Sequence, residues 1–217
     1  MGSITRSFAN NITTSGVLLP ASLNNNSISN VTAYNAAVST GNMVLISSQT
    51  ASDSASISFT TGIDSTYKEY QFWFVDLHPR TDNADFTFNL STDSGSNYNV
   101  TKTTTFFRAF HNEAGTDSVL TYSTGADLAQ STSFQPIASD TGNGADENLA
   151  GTLTLFNPSS TTYVKHFMSN TNSYDASDYT VNVFMAGYGN TTSACNAIQF
   201  KMDSGNFDGT ILMYGIK

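Results

Sequence analysis

Three histidines, one cysteine and two short acidic stretches are the places where this chain sets side chains able to do chemistry. His78 sits in Asp76-Leu-His-Pro-Arg80, where Pro79 forces an extended or turning backbone and marks a strand end. Asp76 and His78 on one strand face would form an acid/base pair. The structural reading of the same residues is a polar strand end with Arg80 paired to a nearby Asp. His111 and Glu113 share a face if their strand persists, and His166 follows Lys165 in Tyr163-Val-Lys-His-Phe167. Zinc needs three or four convergent ligands, and histidines 33 and 55 residues apart carry no such spacing.

Cys195, in Thr192-Ser-Ala-Cys-Asn196, has no catalytic signature around it and reads as a small buried residue near the start of a strand. No Gly-x-Ser-x-Gly elbow is present. Asp82 and Asp85, with the loop from Asp140 to Glu147, offer oxygen ligands that would bridge calcium between loops, yet neither stretch has the twelve-residue calcium-loop spacing. Asp140-Thr-Gly-Asn-Gly144 lacks the basic residue of a phosphate cradle and reads as a turn. Asn-x-Ser/Thr sequons at Asn11, Asn25, Asn30, Asn89, Asn99 and Asn190 are as frequent as this composition produces by chance. No catalytic, cofactor-binding or metal-ligating residue is therefore assigned. Tyr122, Tyr174, Tyr179 and Tyr188 are candidate stacking platforms for sugars, with a core role as the alternative.

The elements that hold these residues follow from composition. Ser, Thr and Asn supply 81 of 217 residues, while Glu, Lys and Arg number three, five and three, so solvated helix faces have no source. Thr, Tyr, Phe, Val and Ile are plentiful and suit a pleated, half-buried surface. The single thiol excludes an internal disulfide and fits synthesis in a reducing cytoplasm. A net charge of −9 without a Lys/Arg cluster repels a phosphate backbone, which excludes nucleic acid as partner. Apolar runs such as Phe72-Trp-Phe-Val75 are far shorter than a membrane span, and Met1 to Arg6 resembles neither a secretory nor a myristoylation signal.

Residues 1–41 are polar and small, and read as an extended N-terminal arm ordered by a neighbouring subunit. Residues 42–217 read as one domain of strands. The expected strands are 43–50, 55–61, 67–76, 85–91, 99–110, 119–124, 151–156, 163–168, 180–185, 197–202 and 210–216. Val181, Val183 and Met185 oppose Asn182 and Phe184 on one of them. Tyr70 to Val75 is apolar on both faces, as in a central strand covered on one side by the opposite sheet and on the other by a loop or another subunit. Residues 125–150 break the rhythm as a long loop. The expectation is an all-β, antiparallel β-sandwich of jelly-roll type with an extended N-terminal arm.

Several stretches carry a resemblance: Leu155-Phe-Asn-Pro-Ser-Ser-Thr-Thr-Tyr-Val-Lys-His-Phe167, Ala186-Gly-Tyr-Gly-Asn-Thr-Thr-Ser-Ala194, Asp76 to Asp82, Phe106 to Phe110, and the ending from Asn196 to Ile216. These resemble virion structural proteins of tailed bacteriophages, particularly those of marine bacteria. The resemblance implies a non-enzymatic β-sandwich on the virion exterior, made in the bacterial host cytoplasm. The leading expectation is a capsid decoration or cement protein whose partners are the major capsid protein and its own copies, as a homotrimer. The alternative is a tail-fibre or tail-appendage module that binds host surface polysaccharide.

Overall fold

A computed structural model describes residues 42–217 as twelve antiparallel β-strands, with no helix among them. The strands are β1 (Met43–Ser54), β2 (Ile57–Phe59), β3 (Glu69–Pro79), β4 (Ala84–Ser91), β5 (Lys102–Asn112) and β6 (Ser118–Tyr122). They continue with β7 (Gln135–Thr141), β8 (Leu149–Phe156), β9 (Lys165–Tyr174), β10 (Tyr179–Gly189), β11 (Ala197–Met202) and β12 (Phe207–Ile216). They form an eight-stranded sheet in the order β1-β12-β3-β8-β9-β10-β5-β6 and a four-stranded sheet in the order β2-β11-β4-β7. The expected N-terminal arm, residues 1–41, lies outside the described residues.

The two sheets pack as a β-sandwich through aromatic side chains. Phe200 on β11 meets Phe72 and Phe74 of the opposite sheet at 5.3 Å each, and Phe59, Phe86 and Phe88 of its own sheet. Phe86 also reaches Phe207, and Phe88 reaches Phe167, so contacts across the gap run along the smaller sheet. All of these rings are buried, and each contributes roughly 1.5–3 kcal/mol through burial alone. Strict alternation produces this core: in β9 every second residue from Lys165 to Ser173 is buried and those between are exposed.

With the hairpins β5-β6 and β9-β10 set aside, four strands remain in each sheet. The chain then visits the larger and smaller sheets alternately, except for β4 and β7, which are neighbours in the smaller one. The two hairpins join through β10 and β5 and widen the larger sheet beyond β8.

One expectation needs correction. The loop over 125–150 contains β7, and β8 begins at Leu149. β7 is an edge strand with Pro136 and irregular register against β4, so its composition does not announce it. Tyr70 to Val75 is central, with its inward face on the smaller sheet and its outward residues Trp73 and Val75 exposed at 38% and 40% in the single chain.

Asp and Asn provide six of the eight non-glycine residues at positive φ, among them Asp76 at 50°. Asp76 lies in a bulge of β3, where Asp76 and Leu77 stand opposite the single residue Gly209 of β12, whose φ is 120°. A side chain at Gly209 would bring its Cβ to 2.5 Å from the Asp76 carbonyl oxygen. Replacement Phe200→Ala is expected to lower stability by about 3–5 kcal/mol, read by urea denaturation, because the rings around it cannot collapse together.

Candidate functional site

The histidines are not brought together. His78 Nδ1 lies 2.6 Å from the Glu147 carbonyl oxygen, which pins the 142–148 turn to the end of β3. Arg80 beside it donates two hydrogen bonds to Asp208, at 2.8 and 2.9 Å, as the structural reading of that strand end requires. His111 and His166 point outward at opposite ends of β10, across from Thr180 and Tyr188 respectively. No group of three or more potential metal ligands occurs among the described residues.

Cys195 is buried just ahead of β11, as expected, and burial pushes its thiol up to about 11, so it stays protonated and unreactive. Two lysines in the same interior escaped the sequence reading. Lys102 is fully buried, donates to Asn89 Oδ1 at 2.6 Å and to the Val100 carbonyl at 2.9 Å, and is pushed down to about 7 by burial. Lys165 is fully buried too, donating to the carbonyls of Ser160, Tyr163 and Thr191. These contacts tie loops to strands and leave no free nucleophile. Asn89, a sequon residue, is fully buried beside them and offers no acceptor to a glycosyl donor.

The acidic loops do converge, through backbone contacts. Asp85 Oδ1 accepts from the Asp140 amide at 3.0 Å, Asp203 Oδ1 accepts from the Asp85 amide, and Asp82 Oδ1 accepts from the Asn143 amide. Arg108 donates to Asp140 from β5. Burial, reinforced by the neighbouring Asp140 and Asp203 charges, pushes Asp85 up to about 6.

The remaining candidate is the outward face of the larger sheet. Registers align Tyr122, Phe107, Phe184, Asn170, Thr152, Trp73, Leu212 and Ser48 in one row across all eight strands. Phe107 and Phe184 stack at 5.4 Å with an 11° interplanar angle, both more than two-fifths exposed. Trp73 packs on Tyr214 at 5.3 Å, and Leu45 and Met43 stand exposed beside them on β1. Of the stacking candidates read from sequence, Tyr122 and Tyr188 belong to this face. Tyr174 sits at its end, its hydroxyl 3.3 Å from an Asp178 carboxylate oxygen, whereas Tyr179 turns to the inner side, packed on Phe110 and against the core with its hydroxyl 3.2 Å from Asp117. Phe107, Phe184, Trp73 and Met168 went unrecognised as a surface set, although outward alternation in β9 and β10 placed two of them.

No known family, no curated protein and no solved structure matches this chain. The geometry therefore carries the functional argument by itself.

The folded chain holds the Asp85 proton more tightly than the unfolded chain does. The stability this confers is complete below about 3.8 and is lost as pH rises through about 6. Asp85→Asn keeps an acceptor for the Asp140 amide and is expected to abolish that decline, which chemical denaturation at a series of pH values reads directly.

Proposed function

We propose that this chain is a non-enzymatic virion structural protein, an external capsid decoration protein of a tailed phage. In this reading it binds the assembled shell and copies of itself as a homotrimer, and residues 1–41 serve as its anchor. The observation that carries the proposal is the uncovered apolar band of Met43, Leu45, Trp73 and Val75, joined by Leu212 and Tyr214, on β1, β12 and β3. An exposed cluster of aromatic, aliphatic and Met side chains depleted of charge is the composition of an interface core. Glu69 and Asp76 of the β3 bulge are the ionised side chains among the exposed positions of β3, β8, β9, β10 and β5 that face outward. The band begins at Met43, the first residue of β1.

The fold supports the same reading. Strand orders β1-β12-β3-β8 and β2-β11-β4-β7 support reading the sandwich as a jelly roll, an architecture that recurs in shell and binding proteins. That support is by analogy of fold. A tail-appendage module that docks host polysaccharide is the second reading, and the Phe107–Phe184 platform is the observation that favours it.

Binding only the assembled shell shifts the equilibrium toward that shell. Particles lacking the protein are expected to assemble but to lose resistance to heat and osmotic shock, and unchanged robustness would remove the decoration reading. In solution, Trp73→Asp is expected to convert a trimer to monomer by sedimentation velocity while leaving the far-ultraviolet circular dichroism of the folded chain unaltered, since Trp73 faces away from the core.

A further inference from the structure

We propose that the outward groove over β9, β10 and β5 is a binding site for an extended, uncharged glycan. The groove runs along β10 from Tyr188 to Thr180, a span of about 27 Å at the rise of an antiparallel strand. The hollow at one end, about 450 Å³, is lined by Thr103, Thr105, His166, Met168, Ala186 and Tyr188. The other end holds a hollow of about 210 Å³ over Ala109 and Asn182, followed by one of about 390 Å³ reaching Asn172, Tyr174 and Glu113. Between them stands the Phe107–Phe184 stack. Small residues make the hollows: Ala186 and Ala109 flank the rings.

Three properties select the ligand. First, the outward positions of β5, β9 and β10 hold no carboxylate, ammonium or guanidinium, and the charges at the groove are the Glu113 and Asp146 carboxylates lining its last hollow, in a chain of net charge −9. An anionic ligand would meet only like charge and a cationic one would find no counter-ion along the stretch from Tyr188 to Asn182, so the ligand that matches the whole length is neutral. Second, β10 is paired along its whole length with β5 on one side and β9 on the other. The rest of the β5 edge is taken by β6 and by backbone bonds from Ser123, Leu128 and Ser131. The backbone along the groove itself is thus paired on both sides, so a peptide cannot add as a strand within it.

Third, the polar groups facing the groove are side-chain amides and hydroxyls with capacity to spare. Asn182 Nδ2 donates to Asn170 Oδ1 at 2.7 Å and to the Thr171 carbonyl at 2.8 Å. Asn172 Nδ2 donates to Thr180 Oγ1 at 2.9 Å and to the Val181 carbonyl. These bonds fix the amides in place, while Asn182 Oδ1, Asn170 Nδ2 and Asn172 Oδ1 have no partner among the described residues. A pyranose chain offers the complement: C–H faces for the Phe107 and Phe184 rings, and hydroxyls along its rim for the amides. The site stands whether the chain sits on a capsid or on a tail, and its failure leaves the assembly role of the Trp73 band intact.

The test is titration calorimetry and array binding of the full chain with neutral gluco-, manno- and galacto-oligosaccharides, and with size-matched oligouronates as charged competitors. The expected result is binding of a neutral series with affinity that rises with chain length, no binding of the uronates, and about tenfold loss in Phe184→Ala. Phe184 is exposed, so that variant keeps the fold, which its thermal midpoint verifies. Trp73→Ala, outside the groove, is expected to bind as the parent does. The proposal is overturned if no neutral oligosaccharide binds, if uronates bind as well or better, if Phe184→Ala binds unchanged, or if Phe184→Ala instead breaks a self-association of the chain.

Discussion

The packing of Phe200 between the sheets is the constraint on which the rest depends. Five phenylalanines from three other strands surround this ring, and they come from both sides of the sandwich. β11 has only six residues, so its position in the smaller sheet is held by what Phe200, Ile198 and Met202 bury. Once that position is set, β2 and β4 are fixed on its two flanks by register, and β7 on the far side of β4. The larger sheet must then present Phe72, Phe74 and Phe207 inward, which leaves the alternate residues Trp73, Leu212 and Tyr214 outward by the period of the strand. The apolar outward band is thus tied to the core by register: a one-residue slip would exchange the two sets.

Scarcity of charge shapes the interior as well as the surface. With five lysines in the chain, two are buried, and each one acts as a clamp on backbone carbonyls. Lys102 holds Asn89, and Asn89 Nδ2 holds the carbonyls of Tyr98 and Thr132, so one ammonium organises the segments on both sides of β5. Taking an ammonium out of water is costly, and the cost is offset here by short charge-assisted bonds rather than by a carboxylate. Burial with carbonyl partners and no counter-ion explains why both lysine values fall.

Much of the fold was legible because the strands alternate. In β9 and β10 the buried residues stand at every second position, and Phe184 was placed outward by that period alone. β7 was not legible. Its backbone is held by side chains distant in sequence, Thr171 to the Ile137 carbonyl and Asp85 to the Asp140 amide, and a local pattern cannot show such partners. The burial of Lys102 and Lys165 was hidden for a related reason: lysine is a surface residue by default, and only tertiary carbonyls make it otherwise. The binding face was half legible, since each aromatic could be placed on a strand face, but their common row requires the strand order β6-β5-β10-β9-β8-β3, which no single strand encodes.

The width of the larger sheet gives that order its consequence. The smaller sheet has four strands, and its edge strand β7 contacts β9 and β10, so β5 and β6 extend past it. An overhang of this kind needs support on the side the smaller sheet does not reach. The segment from Ser123 to Ser131 bonds along the free half of the β5 edge, and Gln135 joins it to β7 by donating to the Ala126 carbonyl and accepting from Thr104. With its edge closed, β5 resists pairing with another chain, and the exposed polar groups that remain are those of side chains on the outward face. What this part of the molecule exposes is the face of the sheet, with its ring surfaces and amides, while the apolar band lies on the β1 side. The added hairpins separate these two surfaces in space, so the proposed glycan site and the proposed subunit contact would not compete for the same residues.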